Sequence, residues 1–348
     1  MIKVLVVEDS PVVREFLVHI LGADPGIRVV GTAHDGEEAI EAITRTRPDV
    51  ITMDVHMPKM NGLDATRRIM ETCPTPIVVV SGSTDPGEVA TTFEAMEAGA
   101  LAVLRRPAGL GHPDHEATAR ELVQTAKLMS EVKVVRRWSR ARRDSAARPV
   151  QARLDHAPGK VRIVALGAST GGPPVLHTIL SQLPEDFPAP VLVVQHMAAG
   201  FVRGFIEWLA HSSRLPIHLA AHGEQILPGH VYVAPDELQM KVERGARIAL
   251  TRDPPENGLR PSVSCLFRSV AEAYGSDAVA GLLSGMGRDG AEELKLLKEK
   301  GAVTFAQDKG SSVVHGMPGE AIRLDAATFV LSPEKIATVL TRLAKNGQ

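Results

Sequence analysis

Two sets of side chains in this 348-residue sequence have the types and spacing that reactive chemistry demands. The first is acidic: Glu8 and Asp9 follow the apolar run Ile2–Val7, and Asp54 follows Val50–Met53. Carboxylates gathered at one point repel one another and call for a divalent cation. Mg2+ fits best, as a hard ion that takes oxygen ligands and keeps waters for a phosphate to replace. Ser81 and Arg106 end two further runs. A hydroxyl and a cation near a carboxylate suit a phosphoryl group on Asp54, held by charge-assisted hydrogen bonds. Taken singly, acids after strands are also ordinary turn residues.

The second set is hydrolytic. Gly167-Ala168-Ser169-Thr170-Gly171 matches G-x-S-x-G, in which a sharp turn between strand and helix exposes a serine hydroxyl. A phosphate-binding glycine loop competes with this reading, but the P-loop lysine is missing and the G-x-G-x-x-G spacing is not met. An alcohol needs a base, and the base an orienting acid. His196, just after the run 191–194, stands as the base. Asp289 stands as the acid, in Ser284-Gly285-Met286-Gly287-Arg288-Asp289-Gly290 after the run 278–283. Asp289 has a second reading as the cap of a helix over 291–300. The same glycine-dense loop offers backbone N–H groups, such as that of Met286, to an oxyanion. His177 reads as a surface or packing residue. His211, His218, His222, His230 and His315 lack a strand-end position and read as mostly solvated. His112 and His115 have metal-like spacing without further ligands. The order Ser, His, Asp differs from the Ser, acid, His order of α/β-hydrolases, so the elbow is shared and the fold is not.

For these groups to meet, several parallel strands must end on one rim. Residues 1–107 alternate β-branched runs with helix-period segments, the pattern of parallel strands joined by crossover helices. Strands are expected at 2–7, 28–33, 50–53, 77–80 and 102–104, with helices at 12–21 and 37–45. An amphipathic helix is expected over 116–135. The alternation restarts at Lys160, with strands at 161–166, 191–194, 230–233, 278–283 and 302–304. The expected fold class is α/β, with two doubly wound parallel-sheet domains: 1–125, and 159–348 after a linker at 126–158. Ligands collect where such strands end. Residues 136–153 hold seven arginines against one acid, Asp144. They read as a solvated hinge, with a phosphate or membrane footprint as the competing view.

Composition narrows the function classes. Lys and Arg number 39 against 41 Asp and Glu, and there are only eight Phe, two Trp and two Tyr. A near-neutral chain with few stacking faces is a poor binder of nucleic acid. Cys73 and Cys265 form no C-x-x-C pair, which fits a reducing cytoplasm. The start, MIKVLVVEDS, reads as a buried strand rather than a signal peptide, and no apolar run is long enough to span a membrane.

VLVVEDSPVVREFL, TMDVHMPKMNGLD, VVVSGS and GALAVLRRP resemble the receiver domain of two-component response regulators. The resemblance covers residues 1 to about 125 and implies a flavodoxin-like fold. It also implies phosphorylation of Asp54 by a sensor histidine kinase, Mg2+ bound through Glu8, Asp9 and Asp54, and Ser81 as the switch hydroxyl. Arg106 stands where the family usually has Lys, and Val103 where many members carry an aromatic residue. Arg keeps the charge but brings a planar fork in place of a compact ammonium.

LGASTGGP, VVQHMAAGF, ILPGHVYVAP, LRPSV, LLSGMGRDGA, FAQD and VVHGMPGEA occur in the order seen in chemotaxis protein-glutamate methylesterases. This second resemblance spans about 161–340 and implies a Rossmann-like catalytic domain. It implies Ser169 as nucleophile, His196 as base and acid, Asp289 as its orienting carboxylate, Met286 as a backbone oxyanion donor and Thr170 as a supporting group. It also implies demethylation and deamidation of methyl-accepting chemoreceptors, with no cofactor for hydrolysis and with a receiver that covers the active site until phosphorylated. Ala198-Ala199, Val202, Ser264 and Lys309 depart from the family's usual residues and are expected to touch none of the three proposed catalytic groups. A gated receptor scaffold without turnover and a transcriptional regulator are the competing classes; the latter lacks a helix-turn-helix after the linker.

Overall fold

The structure, a computed structural model, describes residues 1–83, 85–132, 134, 161–243 and 245–346. Two compact units divide the chain, Met1–Gln151 and Ala152–Gln348. The arginine-rich stretch 136–153 lies outside the described residues.

The first unit alternates strands and helices throughout: β1 (Ile2–Val7), α1 (Pro11–Gly22), β2 (Ile27–Ala33), α2 (Gly36–Thr46), β3 (Val50–Met53), α3 (Gly62–Thr72), β4 (Ile77–Ser81), α4 (Pro86–Ala98), β5 (Ala102–Arg105) and α5 (His115–Ser130). Three of the helices, α2, α3 and α4, begin where side chains accept their first free N–H groups: Asp35 from Glu38, Asn61 from Asp64, and Asp85 from Gly87 and Glu88. All pairings are parallel, in the order β2-β1-β3-β4-β5. Helices cover both faces, so β3 and β4 are buried along their whole length. The chain leaves β1 for β2 and returns to the other side at β3. The switch point is therefore the crevice beyond the ends of β1 and β3. The last helix is shorter than the 116–135 expected, and the Ser130 hydroxyl closes its final turn on the Lys127 carbonyl.

The second unit contains β6 (Ile163–Ala168), α6 (Gly172–Gln182), β7 (Val191–Gln195), α7 (Val202–Ala210), β8 (Ile217–Leu219), β9 (Val231–Val233), β10 (Gln239–Glu243), β11 (Arg247–Thr251), α8 (Val263–Ala273), β12 (Ala278–Leu282), α9 (Ala291–Glu299), β13 (Val303–Gln307), α10 (Met317–Arg323), β14 (Phe329–Leu331) and α11 (Pro333–Asn346). Seven parallel strands form its main sheet, in the order β14-β13-β12-β6-β7-β9-β8. β10 and β11 pair separately as an antiparallel hairpin against α8. The chain moves from β6 to β7 and later returns to the opposite side of β6 as β12. The switch point thus lies beyond the ends of β6, β7 and β12. The core beneath it packs Ile163, Ala165, Leu192 and Ala280 against Leu266, Phe267 and Leu294.

The expected strand at 161–166 is displaced: β6 runs two residues further, taking Gly167 and Ala168 into the sheet opposite Leu282 and Gln195. Gly167 is small because α8 crosses it, and a Cβ there would lie 2.4 Å from Val263 Cγ1.

Candidate active site

β6 and β7 end in register, with Ala168 opposite Gln195, so Ser169 and His196 leave the sheet side by side. His196 N–H donates to the Ala168 carbonyl (2.9 Å) and Ser169 N–H to that of Ser284 (3.0 Å), which ties three loops together. Directly after Ser169 the chain turns through Gly171, whose φ of 76° is the left-handed conformation. A Cβ there would also press on Val313 and on Ser284 Oγ, at 2.6 and 2.7 Å.

His196 Nε2 lies 2.9 Å from Asp289 Oδ2. With Nε2 so engaged, Nδ1 is the ring nitrogen left for Ser169. No hydrogen bond joins the Ser169 hydroxyl to His196 among the described residues, and their proximity comes from the strand register. Asp289 does not cap α9, whose N-cap is Gly290. Its buried carboxylate is instead filled with donors. Oδ1 accepts from Ser262 Oγ (2.9 Å) and Ser264 N–H (3.2 Å), and Oδ2 from Val263 N–H (2.6 Å) as well as from His196. Those backbone N–H groups belong to the first turn of α8, where a negative charge is favoured. Burial pushes the carboxyl up, but the bonds from His196, Ser264 and Val263 outweigh it and hold Asp289 below the usual carboxylate range.

The loop after β12 contacts the serine directly, since a Cβ on Gly285 would lie 2.8 Å from Ser169 Cβ. The Gly285 carbonyl accepts from Gly316 N–H (3.0 Å) and Met317 N–H (2.9 Å). Because a peptide is planar and trans, that clamp turns the Met286 N–H of the same peptide away from α10. None of the hydrogen bonds among the described residues uses this N–H, and the Met286 side chain is 51% exposed. The Thr170 carbonyl accepts from Ser284 Oγ at 2.8 Å.

Sequence reasoning gave no role to Ser262, Gln195, Ser284 or Gln307, and it expected Ser264 to touch none of the catalytic groups; that expectation is corrected, because α8 starts against Asp289 and the Ser264 N–H bonds its carboxylate. The signal for Ser262 was a hydroxyl directly before a helix; that for Gln195 and Gln307 was an amide ending an apolar strand. Gln307 Oε1 accepts from Ser284 N–H (2.7 Å) while its Nε2 donates to Ser311. His315, read as solvated, is half-buried and bridges to Gly285, and burial, with Lys309, holds its ring below the usual histidine range. His218 and His230 are bonded to each other at 2.8 Å and stack beside Tyr232, while His177 stacks on Trp208.

In the first unit, oxygens of Glu8, Asp9 and Asp54 lie within 4.8 Å of one another at the switch point. Burial, then repulsion from Asp54, pushes Glu8 up to about 7. Burial also raises Asp54, against the pull of Arg106. Arg106 Nη2 stands 3.5 Å from both Glu8 oxygens, and its buried Nε has no partner among the described residues. Arg14 donates to the Glu8 and Asp9 carbonyls, fixing the turn after β1. Ser81 Oγ accepts from Ser83 N–H at 3.3 Å, and the Ser81 carbonyl from Arg106 N–H at 2.8 Å. Val103 packs half-buried against the core. His115 Nδ1 bonds the Ala108 carbonyl, and among the described residues neither His112 nor His115 belongs to a group of three possible metal ligands.

A family model described as CheB methylesterase matches residues 164–340, and one described as response regulator receiver domain matches residues 4–112. A protein-glutamate methylesterase/protein-glutamine glutaminase of Nitrosospira multiformis is 68% identical, the match covering 100% of this chain and 99% of that protein. One from Geobacter metallireducens is 60% identical over 99% of each. The solved catalytic domain of Thermotoga maritima CheB methylesterase has 37% identity and a TM-score of 0.51, covering 52% of this chain and 98% of that one. Catalytic and receiver matches lie on the two units in the order already described, and the chain belongs to the CheB methylesterase family, with a response regulator receiver domain at its N-terminal end.

Proposed function

We propose that this chain is a phosphorylation-activated serine hydrolase that removes methyl esters from glutamate side chains of methyl-accepting chemoreceptors and deamidates receptor glutamines. The observation that carries the reading is the His196–Asp289 hydrogen bond at the strand ends where Ser169 also emerges. Ser169 attacks the ester carbonyl while His196 takes its proton, through Nδ1 because Nε2 is held by Asp289. The Met286 N–H donates to the oxyanion of the tetrahedral intermediate. Methanol leaves with the proton that His196 returns. Water then attacks the acyl-enzyme with the same base, releasing the receptor glutamate. An amide presents the same carbonyl, so a glutamine side chain follows the same path and releases ammonia. Thr170 supports the loop through its carbonyl.

Asp54 accepts a phosphoryl group from a sensor histidine kinase, with Ser81 and Arg106 as its partners. An all-oxygen donor set within 4.8 Å, with two members buried, fits Mg2+ held by Glu8, Asp9 and Asp54. Bound there, the ion would neutralise the carboxylates and the incoming phosphoryl oxygens. Phosphorylation then shifts a less active state toward a more active one, each tenfold change corresponding to about 1.4 kcal/mol of differential stabilisation. The domains are taken as 1–125 and 159–348, joined by 126–158, in a cytoplasmic protein. Among the described residues no helix is long and apolar enough to cross a membrane.

The test is methanol release from methylated receptor, with and without a small phosphodonor and Mg2+. Ser169→Ala should lower turnover by several orders of magnitude while receptor still binds. Turnover close to the parent rate in Ser169→Ala would refute the assignment, and receptor binding without methanol release by the parent would favour a scaffold.

A further inference from the structure

We infer that Gln195 is a positioning residue whose single side-chain amide sets the separation between nucleophile and base; this rests on the reading of Ser169 and His196 given above. Gln195 ends β7, a strand whose other members, Val191 to Val194, are all apolar, and it is 5% exposed. Its Nε2 donates to the Ser169 carbonyl at 2.9 Å and to the His196 carbonyl at 2.8 Å. A primary amide nitrogen has two protons, and both are spent on the two reacting residues.

The location explains the need. Regular pairing of β6 with β7 ends at Ala168 and Gln195, and the one main-chain bond beyond it runs from His196 N–H to the Ala168 carbonyl. Past that point the sheet no longer fixes the distance between the strands, yet Ser169 and His196 must stay within proton-transfer reach. The amide takes over where the ladder stops. Its other end argues the same way: Gln195 Oε1 is buried and accepts no hydrogen bond among the described residues. A buried acceptor without a partner is destabilising, and an apolar residue at this place would avoid it. The donors, not the acceptor, account for the amide. Gly172 makes room for it, because a Cβ there would lie 2.3 Å from Oε1.

The experiment is a double-mutant cycle in the full-length chain, reading kcat and KM for methanol release together with the thermal midpoint. Gln195→Met fills the same volume with no donor. Gln195→Glu keeps the shape and lacks both donors. In the parent background kcat should fall about 10- to 100-fold with KM within about twofold, as expected for a small misplacement of reacting groups. In a His196→Ala background the same change should cost less than about threefold, because no base remains to be positioned. A folded variant with the parent kcat, or equal losses in both backgrounds, would overturn the inference. Failure of both variants to fold would overturn it too, by assigning the amide to stability. If His196→Ala alone left turnover unchanged, the underlying reading of the base would fail instead.

Discussion

Replacing Asp289 by Asn changes almost no volume, yet it sets buried donors against one another. The carboxylate accepts at both ends; an amide accepts at one end and donates at the other. With its NH2 in place of Oδ2, the amide faces Val263 N–H across what is now 2.6 Å, and His196 must turn an Nε2 lone pair toward it. The ring proton then sits on Nδ1, the wrong tautomer for taking a proton from Ser169. With its NH2 in place of Oδ1, the amide faces Ser264 N–H, and the imidazolium formed in the reaction loses its counter-charge. In either case one buried backbone N–H loses its acceptor, which costs about 1–3 kcal/mol, and the remaining bonds lose their charge assistance. A stability loss of about 2–4 kcal/mol is expected, with a fall in kcat of about 10³- to 10⁴-fold, the larger figure being that known for a wrong-tautomer histidine in a serine protease. Urea unfolding and methanol release measure the two effects.

The pH dependence fixes the sign. The folded carboxyl lies below its unfolded value, because its hydrogen bonds outweigh burial. The stability it contributes is therefore fully present above about pH 4 and is lost as pH falls through the unfolded value toward the folded one. The gap between parent and Asp289→Asn should narrow as pH falls below about 4. A kcat within tenfold of the parent, or a gap that does not narrow in acid, would refute the reasoning.

Asp54→Ala should abolish acceleration by a phosphodonor with Mg2+ while leaving the unstimulated rate within about twofold; equal activation of both proteins would reject Asp54 as the acceptor. Gly316→Ala should lower kcat about 10²- to 10³-fold with little change in KM, as loss of an oxyanion donor does. Gly316 has an ordinary φ of −77°, but a Cβ there would lie 2.8 Å from the Gly285 carbonyl oxygen and 2.9 Å from Gly287 N, forcing the clamped peptide to turn. Of the two cysteines, exposed Cys73 should react promptly with a thiol reagent near pH 8, whereas Cys265, buried and pushed up to about 12 by burial and by its bond to Glu256, should react only on unfolding. Prompt reaction of both would place Cys265 wrongly.

Strands covered by helices on both faces are written as mainly apolar runs, and so β1 and β3 could be read from the chain with their ends, β4 and β7 to within one residue, and with them Glu8, Asp54 and His196. Four other strands were not legible. β8 and β14 have three residues each, too few for a pattern, and β10 and β11 carry Lys241, Glu243 and Arg247 along a half-covered hairpin. β6 was misplaced by two residues because glycine and alanine favour strands poorly; the α8 crossing that demands Gly167 is a contact nearly a hundred residues away. Ser262 and Ser264 escaped for the same reason. A serine before a helix is ordinarily its cap, and only the folded chain brings Asp289 to that helix start.

The two switch points treat buried carboxylates in opposite ways, and the contrast separates their chemistries. At Asp289 the protein supplies every partner: a hydroxyl, two backbone N–H groups and an imidazole, so the charge is settled before any substrate arrives. A carboxylate held that firmly can orient a base and cannot itself be the group that changes state. At Glu8, Asp9 and Asp54 the compensation is incomplete: one guanidinium group stands 3.5 Å from Glu8 and backbone N–H groups of Ser10 and Val55 serve Glu8 and Asp54, yet burial still raises both carboxyls. In the proposed function, their mutual repulsion is relieved by a cation and by the group that the cation helps to bind. A pocket left under-compensated responds to its ligands, which a switch requires; a pocket already compensated needs little reorganisation in the transition state, which catalysis requires. The same parallel-sheet edge therefore serves both purposes, and the number of donors the surrounding loops aim at the carboxylates decides between them.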